Sequence, residues 1–177
     1  MKIIYVILLL IFIPLFAKSQ DQDTDYYGIQ INTGEKPECI SCNAKYNYKI
    51  DNYLRIDATG SSDVVVKIIN SATEECIRCV FINGGSNYEI VNIPEGIYYL
   101  KIAYGYDWSK KVSGSFCFAK FMRDVHYQIG NDQLDYFLKD YGSSYDVPSF
   151  ELVLKVLSNS RKNEFDADNI SEEEFYK

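Results

Sequence analysis

From residue 52 onward the chain is built of short apolar runs separated by turn-forming residues. In YLRIDATG at 53–60, apolar residues occupy every second position, which predicts a strand with one buried face because successive strand side chains point to opposite sides. DVVVKIIN at 63–70 places Val64, Val66 and Ile68 on one face and Val65, Lys67 and Ile69 on the other. Further strand-like runs are CIRCVFI at 76–82, NYEIVN at 87–92, IYYLKIAY at 97–104, SGSFCFAKF at 113–121, HYQIG at 126–130 and PSFELVLKVL at 148–157.

The spacing of these runs predicts the fold class. Strand-sized runs return about every 8 to 12 residues with turn residues between them, which is typical of antiparallel β-sandwiches and small barrels. QLDYFLKDY at 133–141 fits either a strand or a short helix, because its apolar residues also recur at helical spacing. The sequence therefore predicts a mostly β protein with one antiparallel β-sandwich domain at 49–158.

Three segments outside this domain are predicted from their composition. Residues 1–19 have a positive start, an apolar run and a small-x-small site ending at Ser19, which predicts a secretory signal peptide. The apolar run at 3–16 is short for a membrane span, which needs about 20 residues; an uncleaved anchor is the alternative. Residues 20–48 are expected to form a turn-rich leader, and residues 159–177 an acidic, disordered tail with little to bury.

The charge balance limits the partners. The formal net charge is −7, and loss of a signal peptide that contains Lys2 and Lys18 changes it to −9. An acidic surface without a basic stripe repels phosphate backbones and anionic lipids, which argues against a nucleic-acid partner. No other segment is long and apolar enough to span a bilayer, so no stable membrane span is expected after signal cleavage. The expected location is the periplasm, the cell surface or the extracellular medium, with a protein or a glycan as partner.

The run from Asp63 to Gly105 has a family-like order of elements. A strand, a short Thr-containing turn and a second strand precede the signature I-P-x-G-x-Y-x-L-x-I at 93–102. This run resembles the transthyretin-like (prealbumin-like) sandwich of carboxypeptidase regulatory-like domains and adhesin B-repeats. The family's usual Thr-Gly turn is Thr73-Glu74-Glu75 here, which is a departure from the pattern. The whole chain resembles secreted Bacteroidetes-type proteins of unassigned function. The resemblance implies a structural, adhesive or accessory module that is not itself catalytic.

The five cysteines include two Cys-x-x-Cys pairs, Cys39 with Cys42 and Cys76 with Cys79. Disulfides are the ordinary use of cysteine in an exported chain, and an odd count leaves at least one thiol free or paired between chains. We expect one disulfide from the leader pair to whichever of Cys76 and Cys79 faces outward. The remaining strand cysteine and Cys117 are then expected to be small buried side chains.

Zinc binding and thiol catalysis are the alternatives for these pairs. Four thiolates in two Cys-x-x-Cys pairs can bind zinc, but the second pair lies in a strand-like run. Residues three apart on a strand point to opposite faces, so Cys76 and Cys79 are not expected to chelate one ion. A redox-active pair needs its first sulfur at a helix N-terminus, and neither pair opens a helical pattern. No cofactor and no metal are therefore expected.

Few residues other than the cysteines are candidates for a site. His126 is the single histidine, which excludes multi-histidine metal sites. The strand alternation continues into the core up to Tyr104, whereas Tyr106 and Trp108 lie past Gly105 in a predicted loop. These two aromatic residues are the candidate ligand contacts, for example for stacking on a sugar ring.

Together these features predict an exported, non-catalytic β-sandwich module that acts in recognition or assembly through strand edges and loops. The first alternative is a carbohydrate-binding module that uses Tyr106 and Trp108. The second alternative is a zinc- or thiol-dependent protein that uses the two Cys-x-x-Cys pairs. No enzyme activity is expected, because the sequence contains no nucleophile elbow and no Gly-rich phosphate loop.

Overall fold

The computed structural model describes residues 25–154 and 166–177. The predicted signal peptide at 1–19 and residues 159–165 of the predicted tail lie outside these stretches. Within the described stretches no helix has the length and apolar character needed to cross a membrane. The elements are β1 (Tyr27–Gly28), β2 (Tyr53–Asp57), β3 (Asp63–Asn70), β4 (Cys76–Ile82), β5 (Asn87–Val91), β6 (Ile97–Tyr106), β7 (Ser109–Ser113), β8 (Phe116–Lys120), β9 (Arg123–Gly130), β10 (Leu134–Asp135), β11 (Lys139–Asp140), β12 (Tyr145–Asp146), β13 (Phe150–Val153), β14 (Ala167–Asn169) and helix α1 (Glu172–Tyr176).

Two sheets face each other across an apolar core. The larger sheet has the order β14-β9-β6-β3-β4, with β10 also paired to β6. The sheet that faces it across the core has the order β13-β2-β5. The β13–β2 pairing is parallel, and the other pairings in these two sheets are antiparallel. The core between the sheets includes the fully buried Leu54, Val66 and Ile102. The prediction of a mostly β protein with antiparallel sheets is confirmed, and the facing sheets are compatible with a β-sandwich.

The central strands of the larger sheet are buried on both faces. Val64, Val66 and Ile68 of β3 point into the core between the sheets, as the alternation predicts. Val65 packs on the opposite face in a second apolar cluster. This second cluster also contains residues of the leader, of α1 and of a small sheet with the order β1-β7-β8. The leader, the small sheet and α1 therefore form an outer layer over the large sheet.

Most of the strand-like runs are strands in the structure. β3 and β4 have the predicted bounds, and the turn at 94–96 leads into β6, whose alternate residues lie in the sandwich core. The segment 133–141 is neither a helix nor one strand, but contributes two short pairings, β10 and β11. Between them Tyr136 is fully buried and its hydroxyl donates to the carbonyl oxygen of Tyr53 at 3.0 Å. The buried Tyr136 side chain therefore holds this segment in place together with the short β10–β6 pairing.

The prediction of a disordered tail is wrong for residues 166–177. β14 pairs with β9, and α1 is capped by Ser171, whose Oγ accepts a hydrogen bond from the backbone N–H of Glu174 at 3.1 Å. Phe175 is fully buried in the second cluster, and Tyr176 packs against it. The segment has few apolar residues, but docking on an existing surface lets one aromatic side chain bury most of its area.

The leader covers the edge of β4. The backbone groups of an edge strand need partners, and the leader supplies them through hydrogen bonds to β4. The large sheet therefore has no free edge at β4. Gly34 of the leader has a φ of 93°, and a Cβ at this position would lie 2.4 Å from a ring carbon of Tyr88, so the close approach requires glycine. The backbone hydrogen bonds run from Gly34 N to Phe81 O, from Phe81 N to Glu35 O, from Asn43 N to Cys76 O and from Lys45 N to Ile77 O.

Candidate functional site

A disulfide between the leader and a strand is present, as predicted. Cys42 is joined to Cys76, with their Cα atoms 4.9 Å apart. The pairing of β3 with β4 shifts register after Ile68, which leaves Ile77 without a residue opposite it. This bulge turns Cys76 toward the same side as Cys79, and both pack in the second cluster. The expectation that Cys76 and Cys79 serve opposite faces is therefore wrong, because regular alternation does not continue through a bulge.

A second disulfide, which the sequence does not predict, joins Cys39 to Cys117 of β8. Their Cα atoms are 5.1 Å apart, and Cys117 is an exposed position of the strand. The expectation that Cys117 is a buried free thiol is therefore wrong. The Cys-x-x-Cys pair of the leader connects to two different elements, β4 and β8. Two disulfides are consistent with an oxidising, exported location.

Cys79 is the free thiol among the described cysteines and is buried, as expected for the strand cysteine that is not joined to the leader. Burial raises the pKa of its thiol to about 12, so the reactive thiolate is scarce at neutral pH. Across the sheet Cys79 lies opposite Lys67, and Lys67 lies opposite Lys101. The two ammonium groups donate to the carbonyl oxygens of Phe175 and Glu174 at 2.8 and 2.7 Å. Helix α1 covers the row formed by Cys79, Lys67 and Lys101 across the sheet. The thiol is therefore a structural side chain.

The cysteines do not form a metal centre. Three of the four thiols weighed for zinc are joined in disulfides, and a disulfide sulfur is not a thiolate ligand. In the part of the chain that the structure describes, no group of three or more His, Cys, Asp or Glu side chains is placed to hold a metal ion.

The predicted loop position is wrong for Tyr106, whereas Trp108 lies in the connection between β6 and β7 but is not exposed. Tyr106 is the last residue of β6; its hydroxyl lies 2.6 Å from Ser61 Oγ, and the Arg123 guanidinium lies 4.5 Å from its ring centroid. Trp108 is only 3% exposed and packs edge-on against Phe121, with ring centroids 4.7 Å apart. Its Nε1 is buried and has no hydrogen-bond partner among the described residues. Trp108 is therefore a core residue of the second cluster and not a surface platform.

The β7–β8 hairpin exposes apolar side chains and is held to the leader by a disulfide. Val112 and Phe116 flank its turn at Gly114 and are 51% and 55% exposed. The neighbouring Cys117 is tied to the leader by its disulfide. Within the described part of the chain β8 pairs only with β7, so its outer edge has no strand beside it there.

A pocket of about 180 Å³ lies where the leader, β4 and β5 meet. Its lining includes Lys36 and Tyr46 of the leader, Arg78 of β4 and Tyr88 of β5. Arg78 is only 4% exposed, and its guanidinium lies 3.5 Å from the ring centroid of Tyr46. The sequence contains one sign of this pocket, because Arg78 is a charged residue inside the otherwise apolar run CIRCVFI. A strand pattern alone does not connect Arg78 to the leader.

No family model matches this chain, and neither a curated protein nor a solved structure matches it.

Proposed function

We propose that this protein is an exported, non-catalytic module that recognises or assembles with a protein partner at the cell surface or in the periplasm. The observation that carries the proposal is the β7–β8 hairpin. In the described part of the chain no strand lies along the outer edge of β8, and the hairpin exposes Val112 of β7 and Phe116 of β8 beside the turn. An open strand edge offers unpaired N–H and C=O groups to an extended segment of a partner, and exposed apolar side chains add contact area.

The Cys39–Cys117 disulfide supports this role through preorganisation. It links β8 directly to the leader, and the leader is hydrogen-bonded to β4 of the large sheet. A recognition strand that is already ordered loses less conformational entropy when a partner binds. The disulfide therefore favours binding through this edge without making a contact with the partner.

We also infer that the sandwich is of the transthyretin-like type and that the protein is a secreted Bacteroidetes-type protein. The turn at 94–96, the strand that follows it and the burial of Tyr98, Leu100 and Ile102 support the first inference. The signal-like sequence at 1–19 and the two disulfides support export.

The alternatives receive less support. The burial of Trp108 and the Arg123 side chain over Tyr106 leave this pair unsuited to stacking on a sugar. The two disulfides and the buried thiol of Cys79 give no support to a zinc- or thiol-dependent activity.

A photo-crosslinking amino acid placed at Phe116 in the native cell envelope tests the proposal. The matched control carries the same amino acid at Tyr141, an aromatic residue that is 67% exposed outside the hairpin. We expect a discrete adduct of one size from position 116 and little or none from position 141. Failure to form an adduct at 116, or the same adducts from both positions, would overturn recognition through the β8 edge.

A further inference from the structure

The pocket beside Arg78 has an unusual charge for this chain. The protein has a net charge of −7, yet the pocket lining contains two cations, Lys36 and Arg78, and no acidic residue. Lys36 Nζ donates to the carbonyl oxygen of Cys42 at 2.7 Å, and neither cation pairs with a carboxylate of the described residues. The pocket is therefore a local positive site in an acidic molecule.

Arg78 is oriented but not neutralised by its neighbours. Its guanidinium donates to the carbonyl oxygens of Lys45 and Ile77, and more weakly to those of Val91 and Asn92 at 3.5 Å. Carbonyl groups are neutral acceptors, so they fix the guanidinium plane and leave its charge uncompensated. Burial lowers the pKa of Arg78, which reflects the cost of keeping a cation away from water. An anion in the pocket would reduce this cost.

Two stacked tyrosines lie beside the pocket: Tyr46 lines it, and Tyr48 packs on Tyr46 without lining it. The rings of Tyr46 and Tyr48 are stacked with an interplanar angle of 5° and centroids 5.4 Å apart. Tyr48 is 78% exposed, whereas Tyr46 contacts the guanidinium of Arg78. Aromatic faces carry negative potential, which attracts the weakly positive hydrogens of an apolar or sugar ring face. Tyr48 thus offers an exposed stacking position one ring away from the buried cation.

We propose that this pocket binds the carboxylate of an acidic sugar, with Arg78 and Lys36 at the carboxylate and Tyr48, outside the pocket, against the ring of a neighbouring sugar unit. The terminal nitrogens of Arg78 already donate to backbone carbonyl oxygens, so its Nε–H and the Lys36 ammonium are the donors left for the two oxygens of a carboxylate. A pocket of about 180 Å³ is smaller than a site for a drug-sized ligand, which fits one sugar unit at the end of a short chain. The net negative charge of the protein disfavours long polyanions, so the ligand is a short oligosaccharide.

This site is separate from the β8 edge and goes beyond the proposed protein recognition. The pocket lies between the leader, β4 and β5, whereas the hairpin belongs to the small sheet of the outer layer. Loss of binding at one site therefore does not predict loss of binding at the other.

Calorimetric titration of the disulfide-intact protein tests the proposal. The probes are trisaccharides of galacturonate, glucuronate and mannuronate, and the matched neutral probes are their methyl esters. We expect at least one acid to bind, and its methyl ester to bind at least about tenfold more weakly. A hydrogen bond to a charged group contributes a free energy of that size. Binding of acid and ester with equal affinity, or no binding of any acid, would contradict the proposal.

Variants assign the binding to this pocket. We expect Lys36→Gln and Arg78→Lys each to weaken the acid by about tenfold, because each removes or reshapes one charge-assisted contact. Tyr48→Ala is expected to weaken acid and ester alike, since it removes the ring contact and no charge. Lys49→Gln is the matched control, because Lys49 is an exposed residue directly after the leader that does not line the pocket. Equal affinities for Lys36→Gln and the control would overturn the assignment.

Two further measurements keep the test decisive. Arg78 also holds backbone groups of the leader, so the thiol count and the Trp108 emission of each variant are compared with the parent protein. Lys36 and Tyr48 are exposed, and their variants decide the outcome if Arg78→Lys disturbs the leader. Displacement of the sugar by an equal concentration of sodium acetate or of an acidic peptide would show that the pocket takes any carboxylate, which would overturn sugar recognition.

Discussion

The Nζ of Lys67 donates a hydrogen bond to the carbonyl oxygen of Phe175 at 2.8 Å, across 108 positions of the sequence. Lys101, opposite Lys67 on the neighbouring strand, makes the same kind of bond to the preceding carbonyl of α1 at 2.7 Å. The last carbonyl groups of a short helix have no partner within the helix, and cations are favoured at this end. Lys67 and Lys101 therefore hold helix α1 on the large sheet.

Phe175 is expected to make the main apolar contact between α1 and the large sheet. Because its side chain is fully buried, Phe175→Ala should lower the free energy of unfolding by about 3 kcal/mol through lost burial and a new cavity. Urea unfolding of the oxidised protein, followed by circular dichroism, measures this loss.

The matched control is Glu173→Ala in the same helix. The Glu173 side chain is 83% exposed, so its replacement should change the free energy of unfolding by less than about 0.5 kcal/mol. A Phe175→Ala protein as stable as this control would mean that α1 does not contribute to the folded state in solution.

Stability is expected to fall in alkali because several buried tyrosines resist ionisation. Burial raises the pKa of Tyr104, Tyr136 and Tyr176 above the ordinary value of about 10. The unfolded chain loses these protons near pH 10 while the folded chain keeps them. The contribution is therefore complete below about pH 10 and is lost as the pH rises above it.

Tyr104→Phe isolates one of these contributions. No hydrogen bond of the Tyr104 hydroxyl is found among the described residues, so the variant should match the parent protein at pH 8. Above about pH 10 its free energy of unfolding should fall less steeply, because one tyrosine no longer ionises in the unfolded state. Urea unfolding at both pH values, with the disulfides intact, gives the difference. Parallel pH profiles of the two proteins would count against the burial of this hydroxyl.

The thiol count is expected to depend on folding. The native protein should not react with iodoacetamide, because Cys79 is buried and the other four cysteines are paired. The unfolded, non-reduced protein should take one label, and the reduced protein five. Mass spectrometry of the intact protein measures each state.

Cys79→Ala is the control for this count and should take no label before reduction. More than one label on the unfolded, non-reduced parent protein would mean that one of the two disulfides is not formed. A label on the native protein would contradict the burial of Cys79.

Trp108 is expected to stabilise the second cluster by its area and not by its N–H group. Trp108→Ala should lower the free energy of unfolding by about 3–5 kcal/mol, since it removes a fully packed indole. Trp108→Phe should lower it by less, because Nε1 has no partner among the described residues and phenylalanine removes this buried donor. Denaturant unfolding measures both, and equal losses would indicate that the Nε1–H group has an important partner.

The sequence predicts the central strands well because local periodicity decides them. The run 63–70 becomes β3 with the predicted bounds and the predicted division of its faces. The turn at 94–96 and the strand after it also follow from turn residues and alternation. These features depend on neighbours within a few residues, which a single sequence displays.

The sequence fails where a distant surface decides the structure. Trp108 is placed in an exposed loop by its position after Gly105, but the leader and β8 close over it. The bulge after Ile68 has no residue signature of its own, and it moves Cys76 to the side of Cys42. The pocket at Arg78 arises because the leader crosses β4, which no local pattern describes.

The sequence by itself determined a mostly β protein, the central strands and a leader-to-strand disulfide. Alternation, turn residues and cysteine chemistry act over short distances or through composition, and they can be read without coordinates. Only the tertiary structure decided that residues 166–177 fold onto the sheet, that Cys39 meets Cys117 and that Lys36 and Arg78 share a pocket. These relationships join segments far apart in the chain, and their stability comes from area buried between surfaces that exist only after the strands have assembled.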